Sequence, residues 1–176
     1  MAGRPNEAVQ ISAIYTSESA GEPMQRRDRI RAVEGGLEGD RYCTGSGHYS
    51  PFDVCEVTFI ERDVLETIAA NTGIDLSDGQ HRRNIVVSGD LGELLGCRFT
   101  AGAATFEATR RRPPCRYLEE LTGEDGLMRA LGDDRGGICA RVAEPGAVAE
   151  GDEIEVCAEL SNFEGLVASI RERVGQ

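Results

Sequence analysis

Lysine is absent from this chain, so all 19 of its basic residues are arginine. That absence removes two large classes of chemistry. Pyridoxal phosphate enzymes need a lysine Schiff base, and a P-loop needs its lysine at the phosphates. Paired cysteines are missing too. Cys43, Cys55, Cys97, Cys115, Cys139 and Cys157 are scattered with no C-x-x-C pair, which is not a zinc or iron–sulfur spacing. Most of them are expected to be small buried hydrophobes. Histidine is scarce: His48 and His81 are too few for a triad, and each reads as a surface residue rather than a general acid. Without Ser/His/Asp or paired-carboxylate spacing, a hydrolase has no specific support. No apolar run approaches the ~20 residues a membrane helix needs, and residues 1–10 lack a signal-peptide core. The reading is a cytoplasmic protein that does not enter a membrane.

What is present in excess is negative charge. The net charge is −12 over 176 residues. Such a surface repels phosphate backbones and argues against a nucleic-acid partner. It also fits a salty cytoplasm, in which long-range repulsion is screened, or a genome that favours arginine codons. The length suits one domain, 1–176, with one substantial core and a few helices packed on it.

Period-2 alternation predicts a first strand over 8–15, with Val9, Ile11 and Ala13 on one face. The basic patch Arg26, Arg27, Arg29 and Arg31 follows, then two Gly-rich turn segments, 34–41 and 44–48. A buried strand over 55–60 leads into a helix over 61–70, in which Val64, Leu65 and Ile68 share a face. Residues 84–88 read as a strand, 91–95 as a turn or short helix, and 98–109 as a hairpin about Ala101-Gly102. Pro113 and Pro114 keep a loop over 110–114 extended. Short helices are expected over 117–121 and 126–131, and strands over 138–143 and 152–158. Ser161 and Glu164 form a capping box for an amphipathic helix over about 162–174. Strands outnumber helices without regular β-α-β alternation. The expected fold is therefore mainly β, a closed or nearly closed β-barrel with peripheral helices.

Two basic clusters interrupt the acidic sequence. In Arg110-Arg111-Arg112-Pro113-Pro114-Cys115-Arg116, flanking arginines favour the thiolate of Cys115, as a nucleophile or soft-metal ligand requires. The alternative is a solvated basic loop with an incidental cysteine. In His81-Arg82-Arg83-Asn84, forked donors stand at the mouth of a strand and match phosphate oxygens; a plain surface patch is the alternative. Two positive clusters in so acidic a chain point to an anionic ligand between them. Arg135-Gly136-Gly137 is either an anion-binding nest or a turn, and Gly39-Asp40-Arg41 either a turn or a pocket wall. Gly151-Asp152 reads as a hairpin turn.

Taken in order, these segments resemble the MOSC domain, named for the C-terminal part of molybdenum cofactor sulfurases. The resemblance rests on Gly36-Leu37-Glu38-Gly39-Asp40-Arg41, Val57-Thr58-Phe59-Ile60-Glu61 and Arg82-Arg83-Asn84-Ile85-Val86-Val87-Ser88-Gly89. Leu94-Leu95-Gly96, Arg112-Pro113-Pro114-Cys115, Arg135-Gly136-Gly137 and the stretch from Pro145-Gly146 to Gly151-Asp152 complete it. The matching pieces span about 11–156. The resemblance implies a MOSC-type β-barrel that binds molybdenum cofactor, the metal-bearing molybdopterin. It implies Cys115 as metal ligand and catalytic residue, and Arg83 and Asn84 as holders of the cofactor's phosphate and pterin. Asp40, Arg82, Arg112 and Arg135 are further carry-overs.

Three functions follow from the resemblance. One is a small oxidoreductase that reduces N-hydroxylated compounds with electrons from a separate redox protein. Another is a cofactor carrier or sulfur-delivery module that holds a Cys115 persulfide supplied by a partner cysteine desulfurase. The third is a non-enzymatic barrel whose site has decayed. The intact arginine and cysteine constellation favours the first two, and the sequence names no substrate.

Overall fold

A computed structural model describes residues 8–47 and 55–161. His48 and the expected C-terminal helix over 162–174 lie outside the described residues. In chain order the elements are β1 (Val9–Thr16), β2 (Gln25–Arg27), β3 (Arg29–Val33), β4 (Gly36–Leu37), α1 (Arg41–Thr44), β5 (Val57–Glu61) and α2 (Arg62–Thr72). Then come β6 (Ile85–Ser88), a 3-10 turn (Gly92–Leu94), β7 (Cys97–Ala101), β8 (Ala104–Arg111), α3 (Arg116–Thr122) and α4 (Leu127–Ala130). The last three are β9 (Ile138–Glu144), β10 (Gly146–Ala149) and β11 (Glu153–Glu159).

Seven strands close into a barrel in the order β11-β7-β8-β9-β5-β6-β1, with β1 returning to β11 and β2 added beyond β1. Closure removes free sheet edges, the usual risk for a chain this rich in strands. All barrel pairings are antiparallel except β5–β6, which α2 joins as a crossover. A smaller sheet, β10-β3-β4, packs beside the barrel. Among the described residues no helix is long and apolar enough to cross a membrane.

Two apolar clusters explain the layers. One fills the barrel: Phe59, Phe99 and Phe106 meet with ring centroids 5.5–5.7 Å apart, surrounded by Ile11, Ile14, Ile85, Val87 and Ile138. The other lies outside the barrel wall, where Tyr15, Ile60 and Val86 meet Leu65 and Ile68 of α2, Leu118 of α3 and Leu127 of α4. Alternation within single strands feeds both clusters: in β6, Ile85 and Val87 face inward and Val86 outward.

Within the described residues, the expected elements are present within a residue or two. Three differences have clear causes. Ala13 does not share a face with Ile11, because a bulge between them shifts the β1–β6 register and turns Ala13 to the outer cluster. The loop expected over 110–114 begins later: Arg110 and Arg111 still pair with Cys139 and Ile138. The strands β2, β3 and β10 carried no apolar signal. β2 and the arginines of β3 are exposed, while Ala32 of β3 and Val148 of β10 are buried; pairing to β1 and between β3 and β10 holds these strands. Nor are most cysteines buried: Cys55 and Cys139 are, but Cys43, Cys97 and Cys115 are half-buried and Cys157 is exposed.

Candidate functional site

At one end of the second cluster, three distant segments converge on a narrow cleft. Its walls include Arg41 and Tyr42 of α1, Arg82 and Arg83 before β6, Arg112 and Cys115 after β8, and Tyr117 of α3. Arg41, Arg82, Arg83 and Arg112 are all buried, and the carboxylate of Asp40, 3.2 Å from Arg41, is buried with them. Four guanidiniums against one carboxylate leave the cleft strongly positive inside a protein of net charge −12.

Local geometry explains how consecutive arginines reach one place. Arg82 has φ 58°, a left-handed conformation rare outside glycine. In an extended chain the side chains of neighbours diverge to opposite sides, and this turn brings both Arg82 and Arg83 to the cleft. Arg82 then donates from Nη1 to the Glu22 carbonyl. Arg83 donates from Nε to the Gly136 carbonyl at 2.8 Å and from Nη1 to the His81 carbonyl at 3.1 Å. The Nη2 atoms of Arg82 and Arg83 are buried with no hydrogen-bond partner. A buried donor left unsatisfied costs about 1–3 kcal/mol, more when charged. Burial, reinforced by the charge of Arg112, depresses the Arg83 guanidinium to about 10. Burial and then the charge of Arg41 lower Arg82 likewise. Both remain cationic at neutral pH, and an anion would relieve desolvation and repulsion together.

Arg112 hangs from the Gly137 carbonyl by its backbone N–H at 2.8 Å and donates from Nη2 to the Tyr42 hydroxyl at 3.2 Å. The Arg41 guanidinium sits 4.6 Å from the centroid of the same tyrosine ring. Arg135-Gly136-Gly137 thus contributes carbonyls that hold Arg83 and Arg112. Its glycines permit a close backbone approach. A Cβ on Gly137, at φ 88°, would collide with the Phe59 carbonyl, and one on Gly136 with that of Arg112.

Cys115 lines the cleft, half-buried against Leu118 and its neighbours, and its side chain makes no capping bond to α3. Of the arginines around it in sequence, Arg112 alone lines the cleft. Arg111 pairs with Asp134 and Arg116 with Glu120, both facing solvent. Three other sequence candidates lie outside the walls. Arg135 is half-exposed, bonded to the Gly132 carbonyl and 3.8 Å from Asp133. Asp40 caps α1 through Tyr42 N and accepts from Ser17 N, so it positions Arg41 from behind. The Asn84 amide is tied into the fold: its Oδ1 accepts from Thr58 N and Oγ1, and its Nδ2 donates to the Tyr15 carbonyl. It staples β1 to β5.

Arg41, Tyr42 and Tyr117 were not singled out as ligands by sequence. Only the place of Arg41 beside Asp40 in a Gly-rich turn hinted at it. His81 is not a surface residue. It is 1% exposed, and burial, aided by the charge of Arg83, drops its imidazole to about 3. Among the described residues no three His, Cys, Asp or Glu side chains cluster as a metal site.

The cleft admits about 30 Å³, room for about one water or a few atoms of an anionic group. A larger cavity of about 350 Å³ lies nearby. His81 lines that cavity, while the next two residues, Arg82 and Arg83, line the cleft. The positive charge and the thiol are both in the smaller space.

The MOSC domain family profile matches residues 47–155. Among solved structures, the YuaD protein of Bacillus subtilis superposes with a TM-score of 0.70 at 22% identity, over 86% of this chain and 96% of that one. YiiM of Geobacillus stearothermophilus gives 0.68 at 15% identity, over 93% and 85%. YiiM of Escherichia coli gives 0.62 at 17% identity, over 92% and 76%. These likenesses concern the fold. No curated protein matches the sequence.

Proposed function

The chain belongs to the MOSC domain family, which is associated with molybdenum cofactor, and on that premise we propose that it binds the cofactor at the Cys115 cleft. One observation carries the reading. A half-buried thiol lines a cleft together with Arg82 and Arg83, each of which has one buried guanidinium nitrogen without a hydrogen-bond partner. A soft metal ligand and an unsatisfied anion cradle are the two things a metal–pterin phosphate requires. The donors present fit the group.

In this proposal Cys115 holds the metal through its sulfur. Arg82 and Arg83 take the phosphate with the nitrogens that lack partners. Arg112, steadied by Tyr42, and Arg41, steadied by Asp40, supply further positive charge. When bound, the cofactor supplies two-electron redox chemistry at molybdenum. The small cleft volume means that it takes the anionic end of a ligand, not an enclosed pterin.

The reaction we favour is reduction of an N-hydroxylated small molecule with electrons from a partner protein, since the chain has no dinucleotide fingerprint of its own. The test is turnover of a hydroxylamine-type substrate by the cofactor-loaded protein with an artificial electron donor. Turnover that disappears in Cys115→Ser supports the reductase. No turnover, with a persulfide on Cys115 found by mass spectrometry, supports sulfur delivery instead.

A further inference from the structure

The larger cavity lies between the outer face of β1 and α2, and it has the features of a built site. Its floor is apolar, formed by Ala13, Leu65, Leu76 and Val86. Two small residues, Ala13 and Ala69, leave the space open, and Ala13 faces it because of the bulge in β1. Bulges of this kind often re-aim side chains beside functional sites. The charged residues at its walls balance, Arg26 and Arg62 against Glu66 and Asp75, so no net charge selects an ion.

His81 gives the cavity a polar end. Its Nδ1 accepts the backbone N–H of Arg83 at 2.9 Å, which requires that ring nitrogen to be unprotonated. The neutral ring therefore carries its proton on Nε2. Among the described residues no acceptor takes that N–H, although the residue is 99% buried and lines the cavity. Tyr15, edge-on to the ring with centroids 5.3 Å apart, donates its hydroxyl proton to the Ser77 carbonyl. The phenolic oxygen also accepts from the Arg26 side chain, which leaves it one lone pair as an acceptor. One donor and one acceptor thus stand over an apolar floor in a space of about 350 Å³, the lower end of the range for small-ligand sites.

We propose that this cavity is a second binding site, distinct from the Cys115 cleft, for a small neutral molecule that pairs an apolar ring with an amide-type group. The amide carbonyl accepts from His81 Nε2–H, the amide N–H donates to the Tyr15 oxygen, and the ring lies on Leu65, Leu76 and Val86. The inference is independent of molybdenum, so the metal-free protein tests it.

The probe is benzamide, followed by 15N NMR of the backbone and of the His81 imidazole, with benzoate as an anionic control of the same shape. A saturable shift at His81 and Val86 is expected, with Kd on the order of 1 mM for so small a ligand. Benzoate should bind at least tenfold more weakly. Ala69→Phe, on a half-exposed helix position, fills the cavity from the α2 side and should abolish the shifts. His81→Phe keeps the ring and removes the donor, and should weaken benzamide about tenfold. If that variant does not fold, Ala69→Phe decides. Absence of saturable shifts in the parent protein, equal binding of benzoate, or undiminished binding by Ala69→Phe overturns the proposal.

Discussion

Arg83 and His81 hold each other in both directions: the Arg83 backbone N–H donates to the imidazole at 2.9 Å, and the Arg83 guanidinium donates to the His81 carbonyl at 3.1 Å. This two-point clasp fixes an arginine that has a third bond to Gly136 and one nitrogen left over. A cationic donor is thereby preset for an anion without paying ordering entropy at the moment of binding.

The clasp has a pH signature. The imidazole stands at about 3, against an ordinary 6.5, because burial disfavours its charged form. Between those values the unfolded chain takes a proton that the folded chain refuses. The contribution of His81 to stability is therefore complete above pH 6.5 and declines as pH falls towards 3, by up to about 1.4 kcal/mol per pH unit. His81→Asn keeps an acceptor for Arg83 N but does not titrate. Urea melts at pH 7 and pH 5 should show a markedly smaller acid loss in the variant. An unchanged difference would mean that His81 is not neutral and buried in solution.

Arg82 and Arg83 are expected to answer to inorganic phosphate. Phosphate should raise the melting temperature of the metal-free protein, as any ligand of the folded state does. Arg82→Gln and Arg83→Gln each remove a charge-assisted donor worth about 1.5–3 kcal/mol, so phosphate should bind tenfold or more weakly. Arg135→Gln, outside the cleft, should leave phosphate binding as it is. If all three variants behave alike, the effect is general salt and not this cradle.

Gly137→Ala tests the backbone that carries the cleft. The position has φ 88°, and a methyl group would meet the Phe59 carbonyl. Strain and overpacking together should cost about 2–4 kcal/mol, read as a lowered urea midpoint. Loss of phosphate affinity should accompany it, because the carbonyls of Gly136 and Gly137 hold Arg83 and Arg112. A variant of parental stability would contradict the close approach.

Asn84→Ala separates support from binding. Three hydrogen bonds to Thr58 and Tyr15 are lost in a fully buried place, which should destabilise the fold by about 2–4 kcal/mol. Molybdenum bound per folded molecule should stay at the parental level. A fold of unchanged stability with lost metal would return Asn84 to the ligand set.

Much of this architecture is legible along the chain because its signals are local. The β7–β8 hairpin shows as alternation about Ala101-Gly102, and α2 as Val64, Leu65 and Ile68 on one stripe. β2 and β3 are not legible: their arginines face solvent, and the reason they are strands lies in β1 and β10. The cleft divides in the same way. Cys115 and Arg83 stand out as a thiol and a basic cluster in an acidic sequence. Tyr42 does not, because its meaning depends on Arg112, 70 positions away. Nor is the structural bond of Asn84 legible, since Thr58, which its Oδ1 accepts from, lies 26 positions earlier.

The most direct test of the account is molybdenum and pterin content after expression in a host that makes the cofactor, in the parent protein and in Cys115→Ser. The account predicts near-stoichiometric metal and pterin in the parent, and loss of most of the metal in a variant that folds and still binds phosphate. Equal molybdenum in the two proteins would contradict Cys115 as its ligand. A parent that emerges empty, while the host's other molybdenum enzymes are active, would contradict cofactor binding itself.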